Sequence, residues 1–458
     1  MRSETARDLA LAIMRGQPTS EEVVSIFIER IKRLNERLHY FITIDEQASL
    51  SQARACDATL RRTHPSSMLH GVPMSVKDVI SVSGFPMTLG SRLFSKVPSK
   101  RDAECVARSK RAGLVIIGTT NLHELASGVT SVNPHYGAVL NPWDENRIAG
   151  GSSGGSAASV ALGVSAISLG TDTSGSVRIP ASLCGVVGFK PTYGLVGTSG
   201  VFPLAWSLDC VGILARGVID TRLLFKEIVH SDYSHLVESR PDANLRSLRI
   251  GVPWDFFEDF TSAECLQAFK KFLDDLDDLE QEILDVEIPW MERAEWVWRV
   301  IRRSEAAVIH GRFVQKSPEL IGDDVLAILK DGMKYTAVDY ITAMKEKEKL
   351  TAKFDDLMEN IDLLALPTTP VVAPRINERE VDINGRRVSV YEALTRYTYP
   401  FNVVGAPAIS LPIGFNAEGL PIGGQLVGHR YGDGKLLDLG ANYEASVNGF
   451  RMRSQTLL

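Results

Sequence analysis

The hydrophobic pattern divides the first half of the chain into alternating helices and strands. Thr19 and Glu22 form a capping box, after which apolar residues recur at helical spacing at Val24, Phe27, Ile28, Ile31 and Leu34. The alternation continues in five shorter segments: a strand at 74–78, a helix at 103–111, a strand at 114–117, a helix at 157–162 and a strand at 166–169. Strands that alternate with helices predict an α/β protein whose sheet is covered by helices on both faces.

The pattern changes between about 215 and 360, where glycine is sparse and charged amphipathic segments dominate. This region predicts a strand at 248–252 and helices at 266–279, 291–312 and 337–358, and strands return at 361–366, 408–412 and 425–427. No linker, low-complexity tract or internal repeat separates these parts. We therefore predict a single domain over 1–458, with a core at 65–215 and 360–445 and a helical insert at about 215–360.

Composition excludes several classes of protein. Hydrophobic residues make up 44% of the chain and charged residues 23%, which excludes a disordered, collagen-like or disulfide-scaffold protein. The formal net charge of −6 gives no general attraction to nucleic acid or to an anionic membrane. Apolar runs stay below the roughly 18 residues of a membrane span, and the first sixteen residues lack a signal-peptide core. We expect a cytoplasmic protein without nucleic-acid or membrane partners.

Cysteine and metal chemistry are not expected. The five cysteines lie far apart and form no CxxC pair, which favours small buried residues in a reducing compartment. The nine histidines show no HExxH or other metal-ligand spacing. We therefore expect neither a metal ion nor a cofactor.

A first cluster of glycine and serine occupies 150–156 and leads directly into an alanine-rich segment. It is either a flexible loop or a turn whose backbone N–H groups point outward at an anion. Ser152 within it also satisfies G-x-S-x-G, the nucleophile elbow of α/β-hydrolases. That elbow requires a strand immediately before it, whereas 140–146 is rich in turn residues, so we reject this interpretation.

A second cluster of small residues, at 170–178, directly follows the strand predicted at 166–169. Small residues in series allow a tight turn in which several backbone N–H groups converge, which is the geometry an oxyanion hole needs. Lys77 is a third unusual feature, because it lies in an otherwise apolar run at 72–80. It is either an edge-strand lysine that reaches solvent or pairs with Asp78, or a buried lysine whose lowered pKa lets it act as a base.

Together these segments resemble the amidase signature family. The resemblance rests on residues 150–156, 172–181 and 184–192, and Lys77 lies in a segment similar to the family's G-[IV]-P-x-x-x-K-D. Further similar elements lie at 364–370, 405–412 and 419–425, so the resemblance spans nearly the whole chain. It implies a mixed central β-sheet with helices on both faces and a helical insert over the active site.

The resemblance also implies the catalytic groups. Ser176 is the nucleophile, Ser152, after a cis peptide bond, is the bridging serine, and Lys77 is the base. A neutral lysine can accept the serine proton through the bridging hydroxyl and return it to the leaving amine. The backbone N–H groups of the nucleophile turn would bind the oxyanion; they belong to Thr173, Ser174, Gly175 and Ser176. Ser174 stands where the family usually has glycine, which leaves the shape of the pocket open.

Other residues of these motifs have structural or pocket-lining roles as alternatives to catalytic ones. Arg178 is either a structural cation beneath the nucleophile turn or a contact to an acidic substrate, and Asp172 is expected to brace the turn. Catalysis does not require His123, although histidine is a common base. Ala126 is expected to line the pocket and, being small, to leave room for a bulky acyl group. Tryptophans in the insert either line an aromatic pocket or pack the helices; they are Trp290, Trp296 and Trp298.

The function implied is hydrolysis of carbon–nitrogen bonds in small carboxamides, anilides, carbamates or ureas by a monomer or homodimer. The alternative is the glutaminase subunit of a tRNA-dependent amidotransferase, which works in a complex. Residues 121–126 are more similar to free amidases than to the Met-Asp-Glu-Phe-Ala segment of that subunit. A catalytically silent binding protein is disfavoured, because Lys77, Ser152 and Ser176 are all present.

Overall fold

One large mixed β-sheet organises the computed structural model, which describes residues 5–94, 96–237 and 247–447. The described residues form fifteen strands: β1 (Phe41–Thr43), β2 (Pro73–Lys77), β3 (Val115–Thr120), β4 (Val132–Asn133), β5 (Gly137–Ala138), β6 (Ile167–Asp172), β7 (Val187–Lys190), β8 (Cys210–Ala215), β9 (Arg249–Val252), β10 (Glu282–Asp285), β11 (Leu363–Pro367), β12 (Glu380–Ile383), β13 (Arg386–Ser389), β14 (Ala408–Phe415) and β15 (Pro421–Gly428).

Helices cover both faces of this sheet. Within the described residues they are α1 (Ala6–Met14), α2 (Ser20–Leu38), α3 (Glu46–Arg62), α4 (Glu104–Arg111), α5 (Gly154–Ala161), α6 (Arg178–Cys184), α7 (Val218–Ile228), α8 (Trp254–Phe257), α9 (Ala263–Asp277), α10 (Glu292–Lys316), α11 (Asp323–Gly332), α12 (Ala337–Met358), α13 (Val390–Thr395), α14 (Tyr399–Val403) and α15 (Asp433–Ser446). The predicted α/β class with a mixed central sheet is confirmed.

The sheet order places the motif-bearing strands in its interior. Eleven strands pair in the order β1-β3-β2-β6-β8-β7-β14-β15-β11-β9-β10. Strand β2 is parallel to both β3 and β6, whereas β6 is antiparallel to β8. Lys77 ends β2 and Asp172 ends β6, so two parallel neighbours deliver both motifs to the same edge of the sheet.

Local signals in the sequence locate most elements correctly. The capping box forms at the start of α2, where the Thr19 N–H donates to the Glu22 carboxylate at 2.8 Å and the Thr19 hydroxyl accepts from the Glu22 N–H. The strands and helices predicted from periodicity all occur, with boundaries that shift by a few residues. Helix α5 begins at Gly154, three residues before its predicted start, so two glycines of the first cluster are part of the helix.

The region 215–360 is mostly helical, but it also extends the main sheet. Strands β9 and β10 pair in parallel with each other, and β9 pairs in parallel with β11. Strand β10 has only four residues, and its two ends are charged and exposed, which is why its sequence gives no strand signal. The region is therefore continuous with the sheet edge rather than a separate helical unit.

All five cysteines are free thiols; four are buried and Cys56 is half-buried. This agrees with the prediction of small buried residues. Across the described ranges, no helix has both the length and the apolar character needed to cross a membrane.

Candidate active site

The two glycine–serine segments meet beneath the edge of the sheet. The Ser153 N–H donates to the Ser176 carbonyl at 3.1 Å, which joins the two backbones directly. The peptide bond between Gly151 and Ser152 is cis, as the family resemblance implies. Ser152 is fully buried, whereas Ser176 retains 6% of its exposure. The structure therefore brings the two serines together and leaves the second one closer to the surface.

Lys77 reaches these serines from the end of β2. Its Nζ lies 2.8 Å from Ser152 Oγ and 2.8 Å from Thr171 Oγ1. The Lys77 side chain is fully buried, because β2 is flanked by β3 and β6. The Asp78 carboxylate does not pair with Lys77 and accepts from the Thr88 N–H at 2.9 Å. The edge-strand interpretation, with pairing to Asp78, is therefore wrong; Lys77 is buried as the other interpretation expects, and its action as a base stays a prediction.

Burial lowers the pKa of Lys77 to about 7, because the charged ammonium loses its hydration and gains no ion pair in exchange. The negative charges of Asp172 and Asp209 raise the pKa slightly but do not offset burial. A lysine with this pKa is substantially neutral at physiological pH. It can therefore accept a proton from the Ser152 hydroxyl, which lies at hydrogen-bond distance.

The first glycine cluster is a rigid junction rather than a flexible loop. A Cβ on Gly155 would lie 2.4 Å from the Asn121 carbonyl oxygen, so only glycine permits this close approach. The N–H groups of this cluster are also occupied: Gly154 donates to the Ser131 hydroxyl and Gly155 to the Asn121 carbonyl. The predicted outward-pointing anion site at the start of α5 is therefore wrong.

The second cluster forms the tight turn expected of an oxyanion site. Among the described residues, no acceptor is found for the backbone N–H groups of Thr173, Ser174 and Ser176. Gly175 differs, because its N–H donates to Asp172 Oδ1 at 2.8 Å. Its predicted role as an oxyanion donor therefore needs correction, since Asp172 already holds that N–H. Gly175 instead permits the turn: its φ is +113°, and a Cβ there would lie 2.1 Å from the Thr398 hydroxyl.

A fully buried ion pair braces this turn from below. Arg178 donates to both carboxylate oxygens of Asp172, at 3.0 and 2.9 Å, and also to Gln425 and Asn402. Burial raises the pKa of Asp172, but the adjacent guanidinium outweighs it and holds the pKa of that carboxyl well below its usual range. The structural interpretation of Arg178 is correct, because its donors are all directed at buried partners and not at a pocket.

We expect Arg178→Met to destabilise the protein by about 3–5 kcal/mol, because it leaves the buried Asp172 carboxylate without its counterion. The free energy of unfolding, measured by urea denaturation, tests this. Arg54→Met is the matched control, since Arg54 pairs with Glu21 at the exposed surface and its loss should cost below about 1 kcal/mol. Equal losses in the two variants would contradict the bracing role.

Ser174 connects the turn to the helical insert. The Trp298 indole N–H of α10 donates to Ser174 Oγ at 2.7 Å, and Thr398 Oγ1 donates to the Ser174 carbonyl at 2.6 Å. Trp298 also stacks on Tyr399, with ring centroids 4.7 Å apart. Ser174, which stands where the family usually has glycine, therefore holds the Trp298 ring beside the turn that carries Ser176. A cavity of about 220 Å³ adjoins this stack, but neither Lys77 nor Ser176 lines it.

Ala126 lies in a strained turn close to Ser152. Both Leu125 and Ala126 have positive φ, at +53° and +56°, which L-residues rarely adopt and which often marks a functional loop. His123 begins this turn, and its N–H donates to the Ser152 carbonyl at 3.1 Å. Both nitrogens of the His123 ring, however, are engaged by Thr130 and Asp324.

Several residues of the site were not found from the sequence. Thr171 lies inside the predicted cluster at 170–178, but it was not assigned as a second partner for Lys77. Gln425 ends the similar element at 419–425, but no role was assigned to it. The others lie far along the chain and outside the motifs: Asp209, Arg302, Thr398 and Asn402. Trp298 was one of three tryptophans with two alternative roles, and only its contact with Ser174 distinguishes it from Trp290 and Trp296.

Residues 22–437 match the family model described as Amidase. The chain belongs to the amidase family. A similar relative is a glutamyl-tRNA(Gln) amidotransferase subunit from Nostoc sp., 32% identical over 96% of this chain and 97% of that protein. A crystal structure of an amidase matches with a TM-score of 0.90 and 37% identity, over 96% of this chain and 99% of that one. The structure of 6-aminohexanoate cyclic dimer hydrolase complexed with substrate matches with a TM-score of 0.85 and 27% identity, over 98% of each chain.

Membership of the amidase family makes this chain an enzyme that acts on amide carbon–nitrogen bonds. Its relatives include both proteins described as amidases and subunits of amidotransferases. The family therefore fixes the type of bond that is attacked, and it leaves open whether the chain works alone or within a complex.

Proposed function

We propose that this amidase hydrolyses small carboxamides, anilides or related carbamates and ureas, with Ser176 as nucleophile and Ser152 and Lys77 as its proton relay. The observation that carries the proposal is the contact of a buried Lys77, with a pKa near 7, to the hydroxyl of Ser152. A serine hydroxyl is a weak nucleophile until a base removes its proton, and this pair supplies the base.

The proposed reaction proceeds in two stages. Ser176 Oγ attacks the substrate carbonyl while its proton passes to Ser152 Oγ and the Ser152 proton passes to Lys77 Nζ. The free N–H groups of Thr173, Ser174 and Ser176 receive the oxyanion. Lys77 then returns a proton through Ser152 to the leaving nitrogen, the carbon–nitrogen bond breaks, and an acyl ester on Ser176 remains. Water hydrolyses this ester with the relay acting again as base.

The experiment that tests the function uses the purified chain alone. We expect it to release p-nitroaniline from acyl p-nitroanilides, or the arylamine from N-aryl carbamates, without a partner chain or tRNA. All these substrates place a carbonyl next to nitrogen, so one relay serves them. A panel of aryl amides, carbamates and ureas then ranks the classes by kcat/KM. Absence of hydrolysis across the panel would overturn the proposal.

A second candidate is the glutaminase role that the curated relatives indicate. Several of them are subunits of glutamyl-tRNA(Gln) amidotransferases, with 32–34% identity over nearly the whole chain. The same relay would then hydrolyse glutamine and pass ammonia onward within a complex. Glutamine hydrolysis that appears only with a partner chain and charged tRNA would favour this candidate. Release of ammonia from simple amides by the chain alone would exclude a strict dependence on partners.

The pH dependence of activity should follow Lys77. The relay needs neutral lysine, and lysine becomes neutral above its pKa, so kcat/KM should rise with pH, pass its midpoint near 7 and level off above about 8. Steady-state kinetics between pH 5 and 9 on a neutral anilide measure the profile. A rate that is constant down to pH 5, or that falls as pH rises through 7, would contradict the assignment of Lys77 as base.

His123→Ala should retain at least about a tenth of the wild-type kcat/KM, because the ring contacts Thr130 and Asp324 and not the relay. Its pH profile should keep the same midpoint near 7. The same anilide assay measures both quantities. If the pH profile of kcat/KM lost its midpoint near 7 and the activity were also lost, the titrating base would be the histidine rather than Lys77.

A further inference from the structure

Arg302 is a buried cation in α10 whose hydrogen bonds are incomplete. The side chain is 2% exposed, which places it among the largest buried side chains of the protein. Its Nη2 donates to Ser127 Oγ at 3.1 Å. Its Nη1 is also buried, and no acceptor for it occurs among the described residues. Such a group is rare, because a buried guanidinium almost always has a full set of partners.

Arg302 lies between the two segments that frame the reactive serine. It follows Trp298 by one helical turn, with its Cζ 5.9 Å from the indole ring and 5.8 Å from the Tyr391 ring. Trp298 in turn holds Ser174, two residues before the nucleophile. Ser127, the other partner, directly follows Ala126 in the strained turn. The guanidinium is therefore connected to the turn that holds Ser174 and to the turn that holds Ala126.

No carboxylate neutralises this cation at salt-bridge distance within the part of the chain that the structure describes. Asp209 acts on it from further away, and its oxygens are occupied by the Thr173 hydroxyl at 2.6 Å and by backbone N–H groups. Glu305, on the same helix, accepts from Ser207 and Tyr340. The aromatic faces stabilise the charge in part but accept no N–H in its plane. Burial of a cation without a counterion is expensive, so an anion that reached Arg302 would be bound favourably.

We propose that Arg302 binds a carboxylate carried by the substrate, so that the preferred substrates are amides of acids with a second, free carboxyl group. This deepens the proposed function, on which it rests. The planar guanidinium suits a carboxylate, since parallel N–H groups can meet both oxygens. The Ser127 hydroxyl stands beside it as an additional donor. The acidic-substrate contact considered for Arg178 thus belongs to Arg302, because Arg178 has its donors committed to Asp172, Gln425 and Asn402.

A matched pair of anilides tests this specificity. N-(4-nitrophenyl)succinamic acid carries the free carboxylate, and its methyl ester has nearly the same length without the charge. We expect wild-type kcat/KM to favour the acid by roughly 30-fold or more, the size of effect found when one partner of a buried charge pair is lost. Arg302→Met should bring this ratio close to one by lowering activity on the acid, mainly through KM.

Arg303→Met is the matched control, because Arg303 is the next residue of α10 and pairs with Asp331 nearer the surface. It should keep the wild-type preference for the acid. Arg302→Lys retains the charge without the planar fork and should show an intermediate ratio. A wild-type enzyme that hydrolyses both substrates equally well would overturn the proposal. Equal losses of kcat/KM on both substrates in Arg302→Met, with the ratio unchanged, would show that Arg302 has only a structural role.

A binding measurement separates this proposal from the proposed function. Calorimetric titration of the Ser176→Ala protein with succinamate and with neutral succinamide compares the two forms of the ligand without turnover. We expect at least tenfold tighter binding of succinamate, and loss of that difference in Ser176→Ala/Arg302→Met. If wild-type protein hydrolyses neither anilide but this difference is present, the hydrolase proposal fails and the carboxylate site stands. If hydrolysis occurs and the difference is absent, the carboxylate site fails alone.

Discussion

Ser176→Ala is expected to reduce kcat on anilides by about 10⁴-fold or more, because it removes the atom that forms the acyl ester. The turn should survive the change, since its geometry depends on Gly175, on the Asp172–Arg178 pair and on the bond from Trp298 to Ser174. Residual hydrolysis would come from the oxyanion donors alone. Stopped assays with concentrated enzyme measure the remaining rate.

Covalent labelling gives an independent measurement of the same prediction. A fluorophosphonate should form an adduct on Ser176 of the wild-type protein, located by mass spectrometry, and should form none on Ser176→Ala. Ser182→Ala is the control, because Ser182 is a buried serine of the following helix that contacts Thr369 instead of the relay. It should be labelled and active like the wild type. An adduct on Ser152, or full activity in Ser176→Ala, would show that Ser152 rather than Ser176 is the nucleophile.

Lys77→Met is expected to lower kcat by about 10³-fold or more, because no other described residue contacts Ser152 Oγ as a base. Methionine fills a similar volume without a charge, so the fold should persist. Lys190→Met is the control: Lys190 is also fully buried, yet its Nζ donates to the Pro191 carbonyl. That variant should retain more than about a tenth of the activity. Comparable losses in both would show that buried lysines matter here for folding and not for proton transfer.

The wild type and Lys77→Met should also differ in how their stability depends on pH. Lysine titrates near 10.5 in the unfolded chain and Lys77 near 7 in the fold, so between these values the unfolded chain binds more protons. The free energy of unfolding of the wild type therefore rises relative to Lys77→Met as pH increases from 7 to 10.5, by up to about 5 kcal/mol. Urea denaturation of both proteins at several pH values measures this. Parallel curves would contradict the lowered pKa.

The proposed hydrolase and the glutaminase candidate share one catalytic centre and differ in what surrounds it. The family match and the amidotransferase relatives are equally compatible with either. Arg302, whose side chain is buried and bonded to Ser127, does not by itself separate the two, because glutamine also carries a free carboxylate; the assay of the chain alone does.

Much of the architecture follows from short stretches of sequence. The capping box at Thr19 and the apolar spacing behind it predict α2, because helix starts and amphipathic faces are local properties. The strand at 74–78 and the two glycine–serine clusters are local in the same sense. Strand β10 was not predicted because only pairing with β9 stabilises its polar residues. The anion site at 150–156 was wrong because the acceptors that occupy it, Asn121 and Ser131, come from another segment.

The sequence by itself determined the reaction class, and it predicted the three relay residues, since Lys77, Ser152 and Ser176 each stand in a contiguous motif. Only the tertiary structure decided the pKa of Lys77 and the geometry of the turn before Ser176. The pKa of Lys77 depends on β3 and β6, which exclude water from it, and the turn at Gly175 depends on Asp172 and the distant Thr398. The burial of Arg302, and its Nη1 donor without an acceptor among the described residues, likewise cannot be predicted from the sequence. Such contacts join residues that are far apart along the chain, as Ser174 and Thr398 are, and no local pattern records them.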